Sequence, residues 1–368
     1  MSALYTASRL KVFRECNRKH LYKYVLRIST PSNAAMEFGT NAHKALEAWY
    51  LAWQAGTDRL AAALAVIDEL DTFEIERIKL RALVTAYDLR WGAEPWEVLA
   101  VEVDFRYWLG DIEIGGKIDA LVRDLTTGAV YVVEHKTSTA DTAAGSPYWD
   151  RLVIDTQVSI YIDGATMLGH QIAGCVYDVL KRPLHELKLA TPAEARKYTA
   201  GKGCKKCGGS AKTGEIEKGK GTYSVVFASE VKIIDCEGCA GTGWKLDKDG
   251  VPEEPRLHTV QRDTDETLAE FEDRLTNEIA ERVDEFLSRG IVVRLSSELP
   301  AVRQELLDTI ESMRALDEKQ LAPPNHDSCV RGRSTCAFFD ACAGRANIHD
   351  HHVFPRGVAH PELQTVAA

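Results

Sequence analysis

The chain has 368 residues, 45% of them hydrophobic and 27% charged, with a formal net charge of −10 at pH 7. This is the balance of a globular protein with ample core, and it excludes a uniformly basic nucleic-acid coat. No apolar run approaches the roughly 20 residues a membrane span needs, and MSALYTASRLKVF lacks the apolar stretch of a signal peptide. The expectation is therefore no membrane association and a cytoplasmic location, in a bacterium or a phage-infected host cell. Charge is unevenly distributed. Arg9, Lys11, Arg14, Arg18, Lys19, Lys23 and Arg27 face a single early acid, Glu15, while acidic residues gather between Asp263 and Glu285.

The segment Ser8–Val25 reads as a helix with Leu10, Phe13, Leu21 and Val25 on its buried stripe. A second helix is expected over Thr40–Trp53, and helix formers continue from Arg59 to Trp91. The pattern then turns to β-branched, alternating segments at 98–108, 111–122 and 129–137, the last two separated by Asp124-Leu-Thr-Thr-Gly128. Residues 157–168 return to helix and 174–182 form a further strand, with Cys175 a core residue. This order predicts a mixed α/β core, a central mixed sheet flanked by helices. The Gly- and Lys-rich stretch Lys202–Gly250 interrupts it as an insertion, in which residues 222–234 could supply a hairpin. Glu266–Ser288 is helical by spacing, through Leu268, Phe271, Leu275, Ile279, Val283 and Phe286. The organisation expected is a core over 1–195, an insertion over 196–250, a helical region over 251–345 that completes the core, and a loose tail over 346–368.

The strongest chemical signal is Gly116-Lys-Ile-Asp119 followed, across a turn, by Glu134-His-Lys136. Side chains two apart on a strand share a face, so Glu134 and Lys136 project together, and Asp119 on the adjoining strand can meet them. Two carboxylates at one point call for a cation, and hard oxygen ligands suit Mg²⁺ or Mn²⁺. Taken alone, such a trio is more often a set of solvent-facing hairpin charges. Three further segments change that reading: Gly39-Thr-Asn-Ala-His43 ahead of the strands, Gln157-Val-Ser-Ile-Tyr161 after the lysine, and the opening SRLKVFRECNRKHLYKYV.

With these in place the chain resembles the RecB-like branch of the PD-(D/E)XK nuclease superfamily, the branch of Cas4 and the nuclease domains of AddB. There GxxxH, GxxD, (D/E)xK and QxxxY motifs occur in this order. The resemblance covers about residues 5 to 185 and resumes near the C-terminus. It implies a restriction-endonuclease-like core and a metal-dependent deoxyribonuclease, an exonuclease or single-strand-acting enzyme. It makes His43, Asp119 and Glu134 the Mg²⁺ or Mn²⁺ ligands, with the backbone carbonyl of His135, and Lys136 the catalytic lysine. Gln157 and Tyr161 would shape the site or touch the strand. The side chain of His135 is expected on the opposite face. The implied partner is DNA, single-stranded or with free ends, together with a recombination or replication protein.

Nine cysteines without a secretion signal read as metal ligands before disulfides. Cys329, Cys336 and Cys342 crowd near the C-terminus with no fourth close by, so a distant cysteine completes the set. Thiolate ligation fits either an iron–sulfur cluster or zinc. The resemblance implies a [4Fe–4S] cluster held by these three and Cys16, although the interval before Cys336 is longer than the family's. Cys204-x-x-Cys207 and Cys236-x-x-Cys239 form a closed four-thiolate set expected to bind structural Zn²⁺. The surrounding CGGS and CAGTG resemble the zinc knuckles of DnaJ-type proteins. The insertion's role is read as DNA gripping, partner docking or simple stabilisation. The competing overall reading is an inactive nuclease-fold protein that binds DNA or a partner through its metal modules. No GxxxxGK[ST] occurs, which argues against an intrinsic helicase.

Overall fold

A computed structural model describes residues 4–30, 32–199, 201–208, 210–216, 231–331, 334–358, 360 and 363. Two units emerge, one from residues 1–185 and 272–368, the other from 186–271.

In the first unit, strand β1 (Leu4–Tyr5) leads into helix α1 (Ala7–Glu15), whose N-cap Thr6 accepts a hydrogen bond from the Arg9 N–H at 3.2 Å. The single helix expected to Val25 is broken, because Cys16 takes extended dihedrals (φ −166°, ψ 118°) before α2 (Asn17–His20) and a π-helical turn over Leu21–Val25. Helix α3 (Ala34–Ala55) starts at Asn33, which caps two backbone N–H groups, and ends at Gly56 in the left-handed region. The helix-forming stretch after it is two helices, α4 (Arg59–Asp68) and α5 (Glu74–Trp91), the first capped by Asp58.

Strands β2 (Trp96–Leu109), β3 (Ile112–Asp124) and β4 (Val130–Ser138) follow, then α6 (Pro147–Asp150), α7 (Thr156–Met167) and β5 (Ile172–Lys181). In the second unit, β6 (Lys212–Ile216) and β7 (Val231–Asp235) pair antiparallel. The hairpin anticipated within 222–234 lies outside the described residues except for its last four, which belong to β7. The helix expected over 266–288 is α8 (Leu268–Glu281) and α9 (Val283–Phe286), after which the chain enters strand β8 (Leu287–Val292). A β-branched run, Ile291-Val-Val293, and pairing with β5 from Cys175↔Val292 to Leu180↔Leu287 override helical spacing here. Helix α10 (Leu299–Glu318) follows in the first unit.

The sheet runs β1-β3-β4-β5-β8, with β2 on the other edge of β3. It is mixed: β4 and β5 are parallel, β2, β3 and β4 antiparallel. Strand β3 pairs with β1 near its start and with β4 only from Ala120↔Val133 onward. The two strands therefore part at Asp119 and Glu134, leaving a fork beside the helices. Ile114, Ile118, Leu121, Val132, Cys175 and Val179 fill the core with Val158, Ile160 and Ala165 of α7 and Leu306, Ile310 and Met313 of α10.

Within the tail expected to be loose, the described residues 354–356 are tied to the N-terminal segment. Ile28 bridges Arg356, Ser29 N–H donates to Pro355 O at 2.8 Å, and Phe354 is buried with Phe338 and Ile28. Its pattern is unreadable in sequence because one aromatic side chain carries the burial.

Candidate active site and metal centres

The fork opens into a cavity of about 940 Å³ lined by Ser8, Gly39, His43, Lys44, Glu47, Glu102, Asp119, Glu134, Lys136, Gln157 and Tyr161, among others. Every side chain assigned to the trio and to the flanking motifs reaches it. Strand alternation turns Glu134 and Lys136 inward together, and Lys136 Nζ donates to Glu134 Oε1. Gln157, at the first turn of α7, donates its Nε2 to the same oxygen at 2.7 Å and to Tyr161 Oη at 3.0 Å.

The motif glycines are there for close approach. A Cβ at Gly39 would stand 3.0 Å from Thr137 Oγ1, and one at Gly116 would stand 2.6 Å from the buried ring of Phe105. Gly39 thus lets α3 lie against β4 and bring His43 over the fork.

Asp119 is held from two sides. Its Oδ1 lies 3.5 Å from His43 Nδ1, while its Oδ2 accepts from the backbone N–H of His135 at 2.7 Å and lies 3.3 Å from His135 Nδ1. Burial alone would raise the Asp119 carboxyl, but His43 and His135 outweigh it and hold it well below the ordinary carboxylate range. The His135 ring is buried, as alternation implies, yet it still meets Asp119 and places Nε2 3.2 Å from Tyr87 Oη. Tyr87 donates to Asp178 at 2.7 Å, and Asp178 pairs with Arg289 through Nε (2.5 Å) and Nη2 (2.6 Å).

Glu134 is 2% exposed, and burial, with the nearby Asp119 charge, pushes its carboxyl up to about 7 against the pull of Lys136. Its Oε2 is buried with no hydrogen-bond partner among the described residues. An acceptor left bare beside a second carboxylate is the arrangement a cation satisfies. Sequence reasoning missed Glu102. Its carboxylate, with His43 and Asp119, belongs to a group whose ligand atoms lie within 4.8 Å of one another. It sits on β2 with φ +50°, a left-handed value unusual for a non-glycine residue, and pairs with Lys117 at 2.8 Å. The only sequence signal was a lone acid inside the apolar run Val98–Val103.

In the second unit Cys204, Cys207, Cys236 and Cys239 form the other such group, with Sγ–Sγ distances of 3.9 Å (204–236) and 3.8 Å (207–239). A tetrahedral ion with metal–sulfur bonds of about 2.3 Å requires edges of about 3.8 Å. The site can therefore hold a single metal ion.

Cys16, Cys329, Cys336 and Cys342 also converge, all within the first unit. The Cys342 thiol is raised by burial and by Cys16, Cys336 and Cys329, and Asn325 N–H points at Cys16 Sγ from 3.4 Å. These sulfurs stand wider apart and form no group within 4.8 Å.

The model of the PD-(D/E)XK nuclease superfamily matches residues 5–343. The chain belongs to this superfamily. The mixed sheet with flanking helices is the PD-(D/E)XK fold, carrying in addition the four-cysteine cluster of residues 204–239. The superfamily is, as a class, one of nucleases that use divalent metal. Among solved structures, the chain is similar to one titled "Crystal structure of SSO0001", at 14% identity and a TM-score of 0.22, covering 48% of this chain and 62% of that one. The chain thus spans less than two thirds of that protein's length. No curated protein matches the sequence. Among the described residues, no helix of this superfamily member is long and apolar enough to cross a membrane.

Proposed function

We propose that the protein is a metal-dependent deoxyribonuclease of the RecB-like branch, cleaving phosphodiester bonds in single-stranded DNA or at free ends. The observation that carries this reading is Glu134 Oε2, buried without a hydrogen-bond partner among the described residues, on a side chain that lines the same cavity as Asp119 and His43. His43 Nδ1 or Nε2, a carboxylate oxygen of Asp119, Glu134 Oε2 and the backbone carbonyl of His135 would hold Mg²⁺ or Mn²⁺. That ion supplies Lewis-acid polarisation of the phosphate and a lowered pKa for the attacking water.

The chain's own residues do the rest. Glu134 draws Lys136 into the site, and the paired ammonium, held above its ordinary pKa by Glu134 despite burial, stays charged. It orients the attacking water and offsets negative charge that grows on the phosphate oxygens. Gln157 fixes the Glu134 carboxylate through Oε1, leaving Oε2 without a hydrogen-bond partner among the described residues, where it would serve as a metal ligand. Tyr161, bonded to Gln157, closes that wall of the cavity and is placed to touch the strand.

The four-cysteine cluster of the second unit would bind structural Zn²⁺, its thiol spacing being that of a single tetrahedral ion. The wider set of Cys16, Cys329, Cys336 and Cys342 suits a [4Fe–4S] cluster, in which each thiolate binds a separate iron.

The test is cleavage of end-labelled single- and double-stranded DNA with Mg²⁺ or Mn²⁺. Wild-type protein is expected to cleave, and Asp119→Ala, Glu134→Ala and Lys136→Ala each to lose at least a hundredfold in rate while remaining folded. Near-wild-type cleavage by any of the three would refute the site assignment. Binding without cleavage by the wild type would favour the inactive, DNA-binding alternative.

A further inference from the structure

A smaller cavity, about 390 Å³, opens beside the catalytic one and shares Ala7, Ser8, Lys136 and Gln157 with it. The site residues Lys136 and Gln157 are thus the partition between two compartments of one groove. The far compartment lies between α1 and the first turn of α7, lined by Leu10, Lys11, Arg14, Ile154, Asp155 and Thr156.

Helical spacing aligns Ser8, Lys11 and Arg14 along that wall. Arg14 is already engaged, by Glu305 at 2.9 Å, Thr156 at 2.7 Å and Thr309 at 3.1 Å, so it braces the wall. Asp155, the one carboxylate in the lining, accepts the Gln157 N–H at 2.7 Å as the cap of α7. Lys11 is exposed and has no carboxylate partner among the described residues. Ile154 is 84% exposed, an apolar side chain at the rim with no packing role. An uncommitted ammonium, a hydroxyl and a bare aliphatic surface around a volume at the small end of the roughly 300–1,000 Å³ range for small-molecule sites suit one nucleotide. A base pair would not fit.

Resting on the nuclease reading, we propose that this compartment is the subsite for the nucleotide next to the scissile phosphate on a single strand. Lys11 Nζ and Ser8 Oγ take its phosphate, and Ile154 packs against its sugar or base. The strand enters along α1 and reaches the catalytic compartment past Lys136 and Gln157.

The experiment is fluorescence anisotropy of the full-length protein with a labelled twelve-residue oligothymidylate, with Ca²⁺ replacing Mg²⁺. Lys11→Ala is expected to raise Kd about 3- to 10-fold and to make the log Kd against log salt slope shallower by about 0.7, the value for one phosphate contact on a single strand. Lys11→Arg should restore binding to within about twofold. Lys319→Ala, an exposed lysine that lines neither compartment, should leave both quantities unchanged. Lys11→Ala indistinguishable from Lys319→Ala overturns the subsite, and continued cleavage by the wild type would then leave the nuclease reading standing. Lys11-dependent binding by a wild type that never cleaves with Mg²⁺ or Mn²⁺ refutes the nuclease reading and keeps this compartment as a strand-binding site.

Discussion

Replacing Asp178 by alanine tests how the site is supported from behind. Asp178 is 1% exposed, and both its oxygens are engaged by Arg289, with Tyr87 as a further donor to Oδ2. Arg289 itself is covered by the rings of Trp91 (3.9 Å) and Trp96 (4.7 Å) and reaches Glu94 at 3.1 Å. Removing one partner of a buried pair costs about 3–5 kcal/mol, mostly from the charge left uncompensated. Glu94 remains to take up part of the arginine's charge, so the lower end, about 3 kcal/mol, is expected. At about 2–4 °C per kcal/mol for a large domain, the melting temperature should fall by about 6–12 °C. Urea and thermal denaturation followed by far-UV circular dichroism give both quantities. A double variant, Asp178→Leu with Arg289→Met, should recover most of the loss because no charge is then stranded. A loss below about 1 kcal/mol, or a double variant no better than the single one, would refute the assignment of stability to this pair.

Three other outcomes are expected. Burial, with the nearby Arg9 guanidinium, holds the His20 imidazole down at about 4, and its neutral Nε2 accepts from Arg9 Nε at 3.1 Å. The unfolded state, with an imidazole near 6.5, binds the extra proton, so this stability is complete above about pH 6.5 and lost as pH falls toward 4. His20→Gln keeps an acceptor and should flatten the acid limb of stability by about 2–3 kcal/mol; a superimposable limb would discredit the reading. Cys204→Ser should reduce the zinc content by one ion per chain and render the second unit protease-sensitive while cleavage of short DNA persists, as mass spectrometry and gel assays report. Anaerobically purified protein should be brown, with absorbance near ~400 nm that Cys16→Ser or Cys342→Ser abolishes; colourless protein carrying two zinc ions would replace the cluster with a second zinc site.

Much of the site was legible because its chemistry and its periodicities coincide. Alternation put Glu134 and Lys136 on one face, and the helical spacing of Gln157 and Tyr161 put both on the wall of the same cavity. What the sequence hid has physical causes. Strand β8 followed a strongly amphipathic helix, so helical spacing ran past the point where pairing with β5 takes over. Cys16 breaks α1 by a single residue's dihedrals, which no composition signals. Glu102 depends on a left-handed residue in a strand to aim its carboxylate, a backbone choice that only the folded sheet enforces.

The fork between β3 and β4 explains why these residues can do chemistry where an ordinary hairpin could not. In a continuous antiparallel pair, Asp119 and Glu134 would face each other across a closed ladder, their repulsion relieved by solvent. Here the last pair is Ala120↔Val133, and beyond it the two strands separate. Asp119 Oδ2 accepts from the His135 backbone N–H, so the place of a ladder acceptor is taken by the carboxylate. That contact fixes the Asp119 side chain against β4 while its Oδ1 turns to His43 and the cavity. The buried chain from His135 through Tyr87 to Asp178 and Arg289 then resists rotation of the imidazole from the far side. Two of the site's carboxylates lie in opposed environments, Asp119 driven well below its ordinary pKa by His43 and His135 and Glu134 pushed up to about 7 by burial. Environments that split like groups in this way mark a place where charge is stored for use.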